Sequence, residues 1–128
     1  MKVEIEITQQ LIADLLTDAL EGGHNYWYEI KKQNPPTQFT FRIDKDRVYE
    51  HIDFPMNPGG YLVIKQTVDE SGPGARRLTL QRLEAGMRDL AASEKYRHHF
   101  VDILKEDTDG TTADVFLQFA LYGDVLFG

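Results

Sequence analysis

His24, His51, His98 and His99 are the only imidazoles in this sequence, Ser71 and Ser93 its only serines, and cysteine is absent. Because those residue types supply most nucleophiles, general bases and soft metal ligands, the chemistry open to the chain is narrow. Without Cys there is no disulfide framework, thiolate metal site or cysteine nucleophile. Adjacent helical residues point about 100° apart, so His98 and His99 cannot close on one ion as an i,i+4 pair does, and they read as a solvated helix face. His24, and His51 with Asp53, would form a site only where two loops meet. Neither serine stands in a nucleophile elbow, so Ser-His-Asp hydrolysis has no support. Asp107, Asp109 and Asp114 around Gly110 resemble a calcium loop in composition, but Gly110 directly follows Asp109, whereas the EF-hand glycine at position 6 comes after acids at 1, 3 and 5. Helix capping by Asp109 and Thr111 accounts for them. Gly59-Gly60 and Ser71-Gly72-Pro73-Gly74 lack the Lys and Ser or Thr of a phosphate loop and read as turns. No catalytic residue, metal ligand or cofactor is expected.

What remains is contact chemistry. After Gly22 and Gly23 come His24, Asn25, Tyr26, Trp27 and Tyr28, which include the only Trp of the chain. Trp and Tyr are the commonest binding hot spots, although such a run also serves as sheet core. Read as a strand, the run turns one side away from the helices, leaving either Trp27 or the Tyr26 and Tyr28 pair partly exposed. Arg76 and Arg77, with Arg82 and Arg88, form a second candidate, a basic patch for phosphate or an acidic protein surface, or else a solvated helix flank. The candidate binding residues are therefore His24, Asn25, Tyr26, Trp27, Tyr28, Arg76 and Arg77.

Several elements must position them. Lys2 to Ile7 alternates strictly and predicts a half-buried strand. Thr8 is placed to cap a first helix running to about Glu21, with Ile7 and Ile12 as a hydrophobic staple and Leu11, Ile12, Leu15, Leu16, Ala19 and Leu20 as one apolar stripe. The two glycines suit a left-handed helix end. Tyr26 to Ile30 and Phe39 to Ile43 alternate as strands, Asp44 to Gly60 reads as loop, and Tyr61 to Val68 has the strongest strand pattern. Leu78 and Thr79 repeat the staple and cap ahead of a second helix bearing Leu80, Leu83, Met87 and Leu90. Tyr96, Phe100, Ile103 and Leu104 form a further stripe. A last helix, capped by Thr111 or Thr112, carries Val115, Phe116, Phe119 and Ala120 and stops at Gly123. The apolar tail Val125, Leu126 and Phe127 is expected to dock. Strands before position 70 and helices after it predict a single α+β domain over residues 1–128, a mainly antiparallel sheet with helices packed on one face.

Composition sets the remaining limits. At 41% apolar and 27% charged the chain is globular in character. A formal charge of −7 disfavours general nucleic-acid binding, since phosphate neutralisation by Lys and Arg supplies most of that affinity. The distribution is uneven: residues 76–105 carry seven basic and four acidic side chains, residues 106–128 none and five. No apolar run approaches the ~18 residues of a membrane span, and the start is not a signal peptide. A soluble protein of the cytoplasm, with no membrane partner, is expected.

Leu20-Glu21-Gly22-Gly23 followed by Asn25-Tyr26-Trp27, together with Gln118, Ala120, Leu121, Gly123 and Phe127-Gly128, resembles small proteins of no assigned activity carried by tailed bacteriophages and their prophages. Leu78-Thr79-Leu80 is also similar, whereas residues 31–60 match nothing in that pattern. The resemblance implies a phage gene and a host-cytoplasm setting. It points by analogy to a non-catalytic accessory module that binds a host protein, counter-defence being one such role. The alternatives are a small-ligand or nucleotide-binding protein using Tyr26, Trp27 and the arginines, and a hydrolase using His24 or His51. A homodimer is the simplest partner arrangement for the aromatic run and the apolar tail.

Overall fold

A computed structural model describes residues 6–22, 26–49 and 51–127. Among the described residues, four helices and a three-stranded antiparallel sheet make an α+β fold with helices on one sheet face. Residues 2–5 of the expected first strand lie outside the described residues, and Glu6 and Ile7 have no regular structure. Thr8 caps α1 (Gln9–Glu21), its hydroxyl accepting from Leu11 N–H at 3.1 Å, and the predicted stripe is buried from Ile12 to Leu20. The helix does not end in a left-handed residue at Gly22, whose φ is −82°. Glycine is needed there for another reason: a Cβ would sit 2.2 Å from the Asp18 carbonyl oxygen. Gly23 lies outside the described residues.

The sheet has the order β1 (Tyr28–Asn34), β2 (Tyr61–Gln66), β3 (Arg76–Leu78). Leu62 and Ile64 of β2 and Leu78 of β3 point into the core, as the period-2 pattern requires. A bulge between Ile30 and Lys32 shifts the β1–β2 register. Phe39 to Ile43, expected as a strand, is not one. Two fully buried side chains replace the missing neighbour: Asn57 bonds both the N–H and the C=O of Phe41, at 2.8 and 2.7 Å, and Asp53 accepts from the N–H groups of Ile43 and Tyr49. The alternating apolar residues still pack on the core, but their backbone is satisfied by side chains rather than by a ladder.

Thr79 caps α2 (Leu80–Ala92), and Ser93 closes it. After the short α3 (Arg97–Leu104), Asp109 caps α4 (Gly110–Tyr122) through the Thr112 N–H at 2.8 Å, and Gly123 ends it at φ 76°. Thr112, expected as a cap, is instead buried inside the helix. The core is built around α4, which is buried from Val115 to Leu121, as an all-round apolar helix must be. It crosses α2 at Gly86, where a Cβ would come within 2.6 Å of the Ala120 backbone. Among the described residues no helix is long and apolar enough to cross a membrane.

Candidate contact surface

The aromatic run divides between surface and core. His24 and Asn25 lie outside the described residues, and Tyr26 is 60% exposed. Trp27 has no exposed surface: its indole Nε1–H donates to Asp114 Oδ1 at 2.7 Å, and its ring stacks on Phe127 at 5.4 Å. Tyr28 is also buried, its hydroxyl donating to the Ala19 carbonyl. Burial, and then the negative charge of Asp114, push that phenol well above its ordinary value. Strand alternation forbids two consecutive inward residues, and the structure avoids the conflict because Trp27 sits in a turn before β1 begins. Trp27 and Tyr28 thus belong to the core and offer no contact surface, which corrects the binding role expected of them.

The C-terminal tail closes over that indole. Gln118, fully buried on α4, accepts from the N–H groups of Leu126 and Phe127, both at 2.9 Å, and donates to the Phe127 carbonyl at 2.7 Å and to Asp114 Oδ2 at 3.0 Å. One amide therefore fixes the tail, and through Asp114 it shares a network with Trp27.

Arg76 and Arg77 lie on β3, not on a helix flank. The pleat sends them to opposite sides of the sheet: Arg76 pairs with inward-facing Ile64 and Arg77 with outward-facing Val63. The other two arginines are elsewhere, Arg82 donating to the Ala120 carbonyl at 2.9 Å and Arg88 lining a cleft with Ile7, Ile12, Met87 and Phe100. The four arginines do not form one patch.

Arg77 instead joins a surface that was not singled out in the sequence. The helices cover one face of the sheet, and the other is open. Its central row is Lys32, Val63 and Arg77, one residue from each strand, with Tyr61 on one side and the Glu29–Lys65 pair on the other. The Arg77 guanidinium lies 4.4 Å from the Tyr61 ring centroid, and Lys32 Nζ lies 6.0 Å from it on the neighbouring strand. Lys31, at the bulge, pairs with Glu29 at 2.7 Å. That bond, then the charges of Lys31 and Lys65, lower the Glu29 carboxyl below its ordinary value. Lys31, Lys32, Lys65 and Arg77 against Glu29 give the strand residues of this face +3 in a chain of −7, while Asp69, Glu70 and Glu84 line the clefts at its margins. A cleft of about 460 Å³ adjoins it, between Gly60, Tyr61, Arg77 and Leu80 at the start of α2. The signal in the sequence was the alternation of Tyr61, Val63 and Lys65, but its partners on β1 and β3 are fixed only by the register.

Among the described residues, Asp53, His51 and His99 have partners in the fold. Asp53 holds two backbone N–H groups and does not meet His51, which lies 3.6 Å from Glu21. His99 Nδ1 is 3.0 Å from Thr112 Oγ1, and its ring lies against His98. Desolvation, then the charge of His98, lower its pKa. Among the described residues no group of three acids or histidines is placed to hold a metal ion. No protein-family model, curated protein or solved structure matches this chain.

Proposed function

We propose that this chain is a non-catalytic binding module, phage-encoded and acting on a protein of the host cytoplasm, with the open sheet face as its contact surface. One observation carries the reading: the sheet leaves uncovered a face whose centre holds Val63 and the Tyr61 ring, framed by Lys32, Lys65 and Arg77. An apolar and aromatic centre with a charged rim is the anatomy of a protein contact. The engagement of Asp53, Asp109, Asp114 and His99 in structural hydrogen bonds supports binding over turnover. Pairing of two copies through the edge of β1 is disfavoured, because a bulge and two consecutive lysines are devices that blunt an edge strand.

The test is quantitative capture from a bacterial lysate on immobilised wild type, on Val63→Glu and on Glu94→Ala, a control on the exposed turn after α2. Proteins held by wild type and by the control but released by Val63→Glu support the reading, provided all three melt alike. An identical captured set on all three, or none on any, refutes it.

A further inference from the structure

We infer that residues 124–127 are a displaceable strap, and that the aromatic groove beneath them is a binding site for an extended peptide segment of another protein, one that carries a phenylalanine-type residue. The groove shares no residue with the open sheet face, and neither site depends on the other.

The strap is held at few points. Gly123 ends α4 in the left-handed region, so the direction of the segment after it turns on one glycine, the least restricted of residues. Among the described residues, every hydrogen bond that ties the backbone of residues 125–127 to the rest of the fold goes to a single side chain, Gln118. The Val125 N–H turns back onto its neighbour Asp124. Leu126 is 48% exposed, and Val125 and Phe127 are only partly buried. A segment with few buried apolar contacts and no hydrogen-bonded ladder opens locally, at a free energy below that of global unfolding. The helix beneath it, buried from Val115 to Leu121, does not have to move.

The seat under the strap has a defined chemistry. Gln118 Oε1 accepts from two consecutive amides and its Nε2 donates to the carbonyl of the second, a pattern that any extended backbone can offer. A fully buried amide left unpaired is destabilising, so an opened groove favours a replacement backbone over none. The side-chain requirement comes from the rings. Phe127 stacks on Trp27 at 5.4 Å and meets Tyr122 in a T-shaped contact at 6.0 Å. Asp114 bonds both the Trp27 indole and Gln118, so one network holds the ring and the amide in place together. A site whose groups are already positioned loses less entropy on binding.

The Tyr122 hydroxyl gives a partner its advantage. Among the described residues it is the one buried side-chain polar atom with no hydrogen-bond partner, and it stands on the ring that Phe127 contacts. The strap therefore closes beside a donor that it does not satisfy. A segment that brought a carbonyl or carboxylate oxygen to this hydroxyl would make a bond the strap lacks. Such a difference in affinity is what lets a ligand displace an intramolecular competitor.

The test uses the full chain, with the peptide acetyl-Asp-Val-Leu-Phe-amide as probe and acetyl-Asp-Val-Leu-Ala-amide as comparator. In wild type, the Leu126 and Phe127 amides should exchange hydrogen at least about tenfold faster than those of Phe116 to Ala120. Tyr122→Phe, which removes the unpaired hydroxyl, should slow the two strap amides at least about twofold. A tethered strap competes at an effective concentration on the order of millimolar, so binding in trans is read in Phe127→Ala, whose strap is weakened. There the Phe peptide at several millimolar should shield Trp27 from iodide again, and the Ala peptide should not. If Phe127→Ala does not fold, the wild type carries this arm, with the Trp27 indole N–H resonance shifting under the Phe peptide alone. Strap amides that exchange as slowly as those of α4, faster or unchanged exchange in Tyr122→Phe, or an equal response to the two peptides, none included, overturns the inference.

Discussion

Replacing Gln118 with Leu should release the C-terminal tail and open the indole of Trp27 to solvent. The substitution keeps the volume of the side chain but removes every partner of the Leu126 N–H, the Phe127 N–H and the Phe127 C=O. Were the tail to stay docked, three partly buried unpaired groups, at up to about 1–3 kcal/mol each, would together cost several kcal/mol. The tail has a cheaper course, which is to leave and let water satisfy those groups. It then loses the packing of Phe127 on Trp27 and Tyr122, about 2 kcal/mol for a partly buried aromatic side chain and about 1 kcal/mol for the ring contacts. The smaller cost wins, so destabilisation should be about 2–4 kcal/mol. Trp27 is the only Trp and is fully shielded in the wild type, so its emission reports the event directly. We expect a lower urea midpoint, red-shifted native emission and new quenching by iodide. Phe127→Ala should give the same quenching, and the double variant should cost less than the sum of the two, because both remove one docking event. A Gln118→Leu protein that is destabilised but whose Trp27 remains unquenched would refute the latch and make Gln118 a core residue only.

Three further outcomes follow from the packing and the charges. Gly86→Ala adds a methyl within 2.6 Å of the Ala120 backbone, so the usual helix-propensity gain of about 1 kcal/mol should be outweighed and denaturant melts should show a net loss of about 1–2 kcal/mol. Asn57→Ala unties Phe41 and Asp53 from one buried amide, and we expect a loss of about 2–4 kcal/mol with new proteolytic cleavage confined to residues 37–50; unchanged protease resistance would contradict the assigned role. The pKa of His99 is lowered in the fold from the ordinary value of 6.5, so below that pH the unfolded chain takes up the proton first, and stability should fall as the pH drops. His99→Gln, which can still meet Thr112, should flatten that slope, while the separate loss as the pH falls below 3.8, from the lowered carboxyl of Asp109, should remain.

The sequence alone settled what depends on neighbours within a turn or on the period of one strand. Thr8, Thr79, Asp109 and Gly123 were legible as helix ends because a cap bonds a backbone group no more than four residues away, and the stripes of α1 and α2 follow from the 3.6-residue period. The same locality made β2 readable. Tertiary structure decided everything that required a distant partner. Arg76–Leu78 is a strand only because β2 offers it a ladder, and Phe39 to Ile43 is not one because Asp53 and Asn57, ten or more residues away, take its hydrogen bonds first. Trp27 is buried because it precedes the strand and meets Asp114 and Phe127 from the other end of the chain. The candidate surface was hidden for the same reason: Lys32, Val63 and Arg77 become neighbours only when three strands are set in register. An alternating pattern says that each strand has two sides, but which residues share a side across strands is fixed by hydrogen bonds between segments that no local pattern can align.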